Sequence, residues 1–327
     1  MSHTTVNTVT GPIALADLGV TLMHEHILIG YPGWEANTLR PGPGRADMVA
    51  VAIDKIQSMQ DLGIQSMLDP CPNDLGRDVA LAAEVAGKTG FNIICATGLY
   101  KQNEGGFAHW HFLRSIGRGV ESMAELFIHE LTQGIGDTDI KAGIIKVATG
   151  EGEITDYEYD VLSAAAMASV ETGAPITTHT DQGTMGEEQQ AFLVEKGVPA
   201  HRIIIGHSCG SSDHDYHMRI LDKGSYLGFD RFGLAILVPD EQRIDALVAL
   251  LQKQQEHRIV VSHDSVWCTR GEPFPVEMLE AMDPAKLFNP THFHRTIVPA
   301  LLARGVSQAQ IDTMLVDNPR RFFAGEI

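Results

Sequence analysis

The sequence predicts a (β/α)8 barrel, and three observations favour this fold class. Eight short apolar runs, each able to form a buried strand, alternate along the chain with amphipathic segments that are able to form helices. Strict alternation of strand and helix is typical of a parallel sheet, and eight such units in a chain of 327 residues match a barrel in size. No glycine-rich dinucleotide fingerprint follows any run, so an open, doubly wound sheet is the weaker alternative.

Each predicted strand is a short apolar run that ends in polar residues. In chain order the runs are TLMHEHILIG at 21–30, IQSMLDP at 64–70, FNIICATGLY at 91–100, AGIIKVATG at 142–150, APITTHTD at 174–181, VPAHRIIIGHS at 198–208, SYLGFDRFG at 225–233 and HRIVVSHDSVW at 257–267. A segment that can form a helix separates each run from the next.

The predicted helices have apolar residues at helical spacing and end at glycine. In the first, apolar side chains recur on one face and Gly63 is placed to end the helix; these side chains are Val49, Ala52, Ile53, Ile56 and Met59. A glycine also precedes four later strands: Gly90, Gly173, Gly197 and Gly224. Helical stretches near 290–304 and 308–316 are expected to cover the outside of the barrel. Since no Pro-rich or Ser-rich linker divides the chain, residues 1–327 are expected to form a single domain.

Composition and charge indicate which partners to exclude and which cellular location to expect. The formal net charge is −18, from 42 acidic and 24 basic residues, and no local basic patch is present, so nucleic acid is not an expected partner. The four cysteines are widely scattered without a C-x-x-C pair, which argues against a disulfide framework and favours a cytoplasmic location. Neither an export signal nor an apolar run long enough for a membrane span is recognisable.

The first predicted strand carries two histidines at its centre. Side chains of a strand alternate between faces, so His24 and His26 point to one side and Glu25 points to the other. Two imidazoles on one face can share a metal ion, although a buried histidine can equally be a hydrogen-bonded core residue.

Further polar residues lie at the ends of other predicted strands: Lys146, His179, His207 and Asp264. In barrel enzymes the carboxyl ends of the strands converge on one site, so these side chains are expected to meet the two histidines. Imidazoles with a carboxylate suit zinc and similar divalent ions. An ammonium does not suit such a site, so Lys146 is either a structural lysine turned outward or a lysine converted by carbon dioxide to an anionic carbamate that bridges two metals.

The ordered set His24-x-His26, Lys146, His179, His207 and Asp264 resembles the binuclear metal site of the phosphotriesterase family in the amidohydrolase superfamily. The match extends from LMHEHILI to the VDNPRRFF tail, which is almost the whole chain. The resemblance implies that His24, His26 and Asp264 hold one metal and that His179 and His207 hold the other. It also implies that carboxylated Lys146 and a hydroxide bridge two divalent ions, with zinc, cobalt, manganese and iron as candidates, and that Asp264 shuttles the released proton.

Within the family, ATGLY and FDRFGL resemble the lactonase branch more than the specialised organophosphate hydrolases. This resemblance implies that Tyr100 orients the substrate over the metals and that Arg231 lines the mouth of the site. Taken alone, Tyr100 could equally be a packing residue and Arg231 a solvated surface residue. Trp267 is expected to contact the apolar part of the substrate, whereas His263, beside Asp264, is expected to face away from the metals.

The predicted function is therefore hydrolysis of alkyl γ- and δ-lactones, extending to acyl homoserine lactones, with weak phosphotriesterase activity. The alternatives are a dedicated organophosphate hydrolase, a carboxylesterase or amidase on the same site, and a metal-dependent binding protein without turnover. The expected partners are thus a small lactone or organophosphate and, by resemblance, a second copy in a homodimer. A second H-x-H motif, His109 to His111, lies in a polar region and is expected to belong to a loop or lid.

Overall fold

The computed structural model describes residues 3–271 and 288–326, and all eight predicted strands lie within them. The strands are β1 (Thr5–Thr8), β2 (Gly11–Ala14), β3 (Val20–Leu22), β4 (Glu25–Gly30), β5 (Ile64–Asp69), β6 (Asn92–Gly98), β7 (Ile144–Thr149), β8 (Ile176–Thr180), β9 (Ile203–Ile205), β10 (Tyr226–Phe229), β11 (Ile259–Val261) and β12 (Ser265–Arg270). The first predicted run covers β4 and most of β3, and the last covers β11 and the first half of β12.

The parallel strands close into a barrel. A ladder of parallel pairs runs from β3 through β5, β6, β7, β8, β9 and β10 to β11. The ring is completed by β4, which pairs in parallel with β12 from Glu25 opposite Ser265 to Gly30 opposite Arg270. The (β/α)8 prediction is confirmed, and the closed ring excludes an open, doubly wound sheet.

Helices follow the strands as the glycine pattern predicted. They are α1 (Arg45–Gln60), α2 (Val79–Thr89), α3 (Ala108–Ser115), α4 (Gly119–Thr132), α5 (Asp156–Thr172), α6 (Gly186–Glu195), α7 (His214–Asp222), α8 (Asp240–Gln252), α9 (Val298–Ala303), α10 (Gln308–Asp312) and α11 (Asn318–Ala324), with π-helical turns at Phe293–Ile297 and Thr313–Asp317. Gly90 and Gly173 end α2 and α5 at φ values of 69° and 76°, a backbone that glycine adopts without steric cost. None of the helices in the described ranges has the length and apolar character that a membrane span needs.

The amino end of the barrel is filled by apolar side chains. Leu68, Ile144, Ile204 and Val260 belong to this interior cluster, as does Leu18 from the segment that precedes β3. The antiparallel β1–β2 hairpin, which the sequence pattern did not predict, adds Val6 to the same cluster. Apolar packing therefore closes the amino end, and polar strand-end residues can gather only at the carboxyl end.

The first and eighth strands are both interrupted close to the carboxyl end of the barrel. Two residues separate β3 from β4, and three residues separate β11 from β12. Across the interruption the backbone N–H of Asp264 donates to the His24 carbonyl over 2.9 Å, and the N–H of His24 donates to Ser262 Oγ over 3.0 Å. The interruptions place His24 and Asp264 outside the regular strand alternation and beside each other.

Candidate metal centre

The six predicted metal ligands meet at the carboxyl end of the barrel. All of them line one cavity of about 230 Å³: His24, His26, Lys146, His179, His207 and Asp264. His24 and Asp264 come from the interrupted strands, and His207 lies two residues after the end of β9. The remaining three residues lie within β4, β7 and β8. The tertiary structure thus brings together residues that are up to 240 positions apart, as the strand-end pattern predicted.

Three imidazoles point their Nε2 atoms at the carboxylate of Asp264. Oδ1 of Asp264 lies 3.5 Å from His24 Nε2 and 3.3 Å from His26 Nε2, while Oδ2 lies 3.7 Å from His207 Nε2. Ligand atoms of His24, His26 and Asp264 are close enough together to hold one ion. This is the trio that the resemblance assigned to the first metal.

Lys146 and His179 complete the same centre. Lys146 is 1% exposed, and its Nζ lies 3.4 Å from His24 Nε2 and 3.4 Å from the Thr178 carbonyl oxygen. The ring centroids of His179 and His207 are 4.7 Å apart. Lys146 therefore points into the cavity and contacts an imidazole, so it is not a structural lysine turned outward.

Burial sets the protonation of the imidazoles and of the lysine. Burial lowers the pKa of His24 and His207, and it lowers that of His179 to about 3. The pKa of Lys146 falls to about 8, because burial outweighs the attraction of the nearby carboxylates. These three histidines are therefore neutral at pH 7 and keep a free nitrogen lone pair.

His26 and Asp264 behave differently because they face each other. Burial lowers the pKa of His26, but hydrogen bonding to Asp264 and Asp69 outweighs burial and raises it well above the usual value. Burial alone would raise the pKa of Asp264, but His207, Arg231 and His24 hold it well below the usual value. Three neutral imidazoles, those of His24, His179 and His207, beside an ionised carboxylate are donor forms that divalent metals bind, and His26 joins them by giving up its proton when a metal binds, so the residues fit a metal centre.

Two of the ligand positions adopt left-handed backbone conformations. The φ values are 57° at His207 and 53° at Asp264. Such conformations in residues other than glycine are uncommon and cost about 1–3 kcal/mol each, so they persist where the surrounding structure enforces them, often at functional sites.

A carboxylate lies behind each of the four imidazoles. Asp69 Oδ1 is 3.3 Å from His26 Nδ1, and Asp181 Oδ1 is 2.6 Å from His179 Nε2. Asp230 contacts two imidazoles: its Oδ2 lies 3.2 Å from His24 Nδ1, and its Oδ1 lies 2.9 Å from His207 Nδ1. Carboxylates in this position fix the orientation of metal-binding imidazoles.

Sequence reasoning missed these three aspartates, although a usable signal was present. Asp69 ends β5, Asp181 immediately follows β8 and Asp230 immediately follows β10. They therefore lie at the same end of the barrel as the metal-type residues. Their partners could not be read from the sequence, because each aspartate contacts an imidazole through a geometry that only the closed barrel creates.

Glu25 and His263 form a separate buried pair on the far side of the first and eighth strands. Nδ1 of His263 lies 2.5 Å from Glu25 Oε1, and Ser262 Oγ donates to that same oxygen over 2.7 Å. Nε2 of His263 accepts the backbone N–H of Phe293 over 2.8 Å. Both residues lie outside the set that lines the cavity, so His263 faces away from the centre as expected, and Glu25 holds the two interrupted strands together.

Tyr100 and Arg231 reach the cavity from the ends of β6 and β10. The Tyr100 hydroxyl lies 3.2 Å from His179 Nδ1, and Arg231 Nε donates to Asp264 Oδ2 over 2.8 Å. Each side chain thus contacts a predicted metal ligand. Their predicted roles in catalysis and substrate binding are chemically possible from these positions.

The structure corrects the prediction for Trp267. Trp267 packs in the hydrophobic core between the barrel and its helices, and its Nε1 donates to Ser265 Oγ over 2.9 Å. Because neighbouring residues of a strand face opposite sides, Val266 lines the cavity in its place. The second H-x-H motif, His109 to His111, lies on helix α3 and not in a loop, and its role as part of a lid stays a prediction.

The walls of the cavity above the centre are mostly apolar. The apolar lining residues are Ile29, Leu75, Leu234, Ile236, Leu237, Val266 and Phe288, and Tyr31 adds a hydroxyl. Two of them, Ile236 and Leu237, are exposed. A polar floor below an apolar wall suits a small ligand that joins a polarised carbonyl or phosphoryl group to an alkyl chain.

Comparison with known proteins agrees with this geometry. The model of the phosphotriesterase family matches residues 4–323. The "phosphotriesterase homology protein" of Mycobacterium tuberculosis strain H37Rv is 39% identical, over 97% of each chain. The solved organophosphorus hydrolase of Deinococcus radiodurans is 40% identical, with a TM-score of 0.93 over 98% of this chain and 97% of that chain. A solved protein in which organophosphate hydrolysis was engineered from a weak promiscuous lactonase template is 37% identical, with a TM-score of 0.92 over 98% and 99% of the chains.

Proposed function

The chain belongs to the phosphotriesterase family of metal-dependent hydrolases, and from that premise we propose that it is a lactonase with weak phosphotriesterase activity. Its proposed substrates are alkyl γ- and δ-lactones, extending to acyl homoserine lactones. One observation supports the proposal most directly: an apolar cavity ends on a floor of imidazoles and carboxylate, with Tyr100 and Arg231 beside that floor.

The residues on the floor divide into two sets of metal ligands. We propose that His24, His26 and Asp264 hold one ion and that His179 and His207 hold the second. Two divalent ions at this position would polarise the oxygen of the substrate and lower the pKa of water. Zinc suits imidazole and carboxylate donors, and cobalt, manganese and iron suit them as well.

Lys146 is proposed to bind both ions as a carbamate. Its amine reacts with carbon dioxide in the uncharged form, and the lowered pKa of about 8 makes that form accessible near neutral pH. Formation of the N–C bond releases one proton and leaves a carbamate whose single negative charge is shared by two oxygens. The position of Nζ, 3.4 Å from His24 Nε2, supports this assignment, because an ammonium there would repel a metal ion.

The chain's own side chains then handle the substrate and the proton. The apolar wall binds the alkyl part, and the Tyr100 hydroxyl orients the ester carbonyl. The Asp264 carboxylate takes the proton from the attacking water and passes it to the ring oxygen as the ring opens. Arg231 holds Asp264 Oδ2 in place for this transfer.

The likeness to an enzyme with a lactonase origin supports lactones over phosphotriesters, and so does the chemistry of the leaving group. Ring opening releases an alkoxide, which needs a proton from a nearby group, whereas an activated phosphotriester releases a stable phenoxide. Asp264, with Arg231 beside it, supplies a proton carrier at that point. A phosphotriester has a similar polarised oxygen and can enter the same site as a slower substrate.

The proposal is tested by kinetics on purified protein whose metal content has been measured. We expect kcat/KM for a γ-, a δ- or an acyl homoserine lactone to exceed that for a paraoxon-type triester. A triester hydrolysed far better than every lactone tested would establish the alternative, a dedicated organophosphate hydrolase like the D. radiodurans relative. Asp264→Ala protein that keeps its metals is expected to lose hydrolysis, and unchanged turnover would remove Asp264 from the mechanism.

A further inference from the structure

Lys101 connects the segment that carries Tyr100 to the aspartate behind His179. Its ammonium lies 2.6 Å from Asp181 Oδ2 and 2.8 Å from Glu104 Oε1, and the residue is 8% exposed. The other oxygen of Asp181, Oδ1, lies 2.6 Å from His179 Nε2. Asp181 therefore links the lysine to the imidazole through its two oxygens.

These contacts form a closed ring. Tyr100 and Lys101 are neighbours in the chain, and the Tyr100 hydroxyl lies 3.2 Å from His179 Nδ1. One dipeptide thus reaches both nitrogens of the imidazole, directly at Nδ1 and through Asp181 at Nε2. An imidazole that donates its Nε2–H to a carboxylate keeps its lone pair on Nδ1, and Nδ1 is then the nitrogen that can bind a metal.

Through Glu104 these contacts also reach Tyr31, a second tyrosine of the cavity. Glu104 Oε2 accepts a hydrogen bond from the Tyr31 hydroxyl over 3.4 Å, and Tyr31 lines the cavity. An ammonium enclosed by two carboxylates gives up rotamer freedom and hydration, which the charge-assisted bonds offset. A lysine on the surface keeps most of its rotamer freedom and its hydration. Lys88, which is exposed and bonds Glu84 along α2, is an example.

We propose that Lys101 is a positioning residue of the metal centre. Through Asp181 it holds the His179 ring with Nδ1 toward the centre, and through the backbone it holds the Tyr100 hydroxyl beside that same nitrogen. Its removal weakens binding of the ion on the His179 side and leaves the ion held by His24, His26 and Asp264 in place. The inference rests on the proposed function for its substrate and for the division of the ligands between two ions.

The first test measures metal retention and does not depend on any substrate. Zinc-loaded wild type, Lys101→Met and the control Lys88→Met are each titrated with a chelator, and bound zinc is measured by elemental analysis. In Lys101→Met we expect one of the two zinc ions to be lost at about a 10–100-fold lower chelator strength, while the other is retained as in wild type. Lys88→Met is expected to match wild type.

Further variants separate positioning from general stability. Lys101→Arg keeps the charge and is expected to recover most of the zinc affinity. Asp181→Asn removes the carboxylate through which Lys101 acts, so it is expected to show the same selective loss. Because Asp181 also contacts His179 directly, Lys101→Gln, which removes only the charge of the lysine, answers the question if Lys101→Met does not fold. A folded Lys101→Met protein that keeps both ions with wild-type affinity, or loses both together, would overturn the proposal.

Kinetics add a second readout on whichever substrate the wild type turns over. With both zinc sites saturated, we expect kcat/KM of Lys101→Met to fall about tenfold because the Tyr100 hydroxyl loses its position. If the wild type hydrolyses triesters and no lactone, the proposed function is wrong, while the zinc titration still decides the role of Lys101.

Discussion

Oδ1 of Asp230 lies 2.9 Å from Nδ1 of His207, on the side of the imidazole that faces away from the centre. The other carboxylate oxygen lies 3.2 Å from His24 Nδ1, so one buried group orients two rings. Since both imidazoles hold their outer nitrogens toward Asp230, both Nε2 atoms point to Asp264. Asp230 therefore connects His24 of the first proposed metal set to His207 of the second from behind, and Asp264 lies between the same two imidazoles at the centre.

Asp230→Asn is expected to weaken metal binding and to lower kcat/KM by about 10–100-fold, because an amide cannot accept from both rings as a carboxylate does. Elemental analysis after dialysis and lactone kinetics measure the two effects. Asp54→Asn, an exposed position on α1, is the matched control and is expected to behave as wild type. Full metal content and activity in Asp230→Asn would show that the orientation of these rings is set elsewhere.

Gly228 leaves the space that the Asp230 carboxylate occupies. A Cβ at Gly228 would lie 2.4 Å from Asp230 Oδ2 and 3.0 Å from the Cα of Gly206. Gly228→Ala is therefore expected to displace Asp230, to lower the free energy of unfolding by about 1–3 kcal/mol and to lower metal affinity. Urea denaturation and metal analysis test both.

Gly87→Ala is the matched control for that substitution. Gly87 lies within α2, and a Cβ there would meet nothing within 4 Å. Alanine favours the helix, so we expect Gly87→Ala to gain up to about 1 kcal/mol with unchanged activity. If Gly228→Ala matched Gly87→Ala in stability and metal content, the close approach to Asp230 would have no consequence.

Carbamate formation on Lys146 predicts a dependence on dissolved carbon dioxide. Metal-free protein reconstituted with zinc is expected to regain activity faster and more completely in bicarbonate than in buffer freed of carbon dioxide. Isotopically labelled bicarbonate should give a carbamate signal by NMR in wild type and none in Lys146→Met. Equal reconstitution without carbon dioxide, and no such signal, would leave Lys146 as an unmodified amine.

Asp74 predicts a pH dependence of stability that is separate from the metals. Burial raises its pKa from 3.8 to about 6, outweighing the hydrogen bonds that its oxygens accept from the backbone N–H groups of Tyr100 and Gly106. The folded state thus holds this proton more tightly than the unfolded state does. The resulting stabilisation is fully present below pH 3.8 and is lost as the pH rises to about 6, by about 3 kcal/mol in total.

Asp74→Asn, which cannot ionise, removes this dependence. Measured by urea denaturation with chelator present, the free energy of unfolding of wild type is expected to fall by about 2 kcal/mol more than that of the variant between pH 4 and pH 7, because part of the total is already lost at pH 4. Parallel curves for the two proteins would mean that Asp74 is not responsible.

The fold class and the set of metal-type residues could be predicted from local patterns in the chain. Strand runs and helix-ending glycines such as Gly90 and Gly173 depend on local backbone preference, which acts within a few residues and can be read directly. Strand-end positions of His179 and His207 followed from the same local pattern. Once a barrel is predicted, all strand-end side chains are known to meet.

Which side chains touch, and which way each of them faces, could be seen only in the folded barrel. Trp267 and Val266 are adjacent in the chain, and the interruption before β12 determines which of them lines the cavity. Asp230 reaches His24 across 206 positions, and Asp181 reaches Lys101 across 80. Such contacts depend on the closure of the barrel and on burial, which act between residues that no local pattern relates.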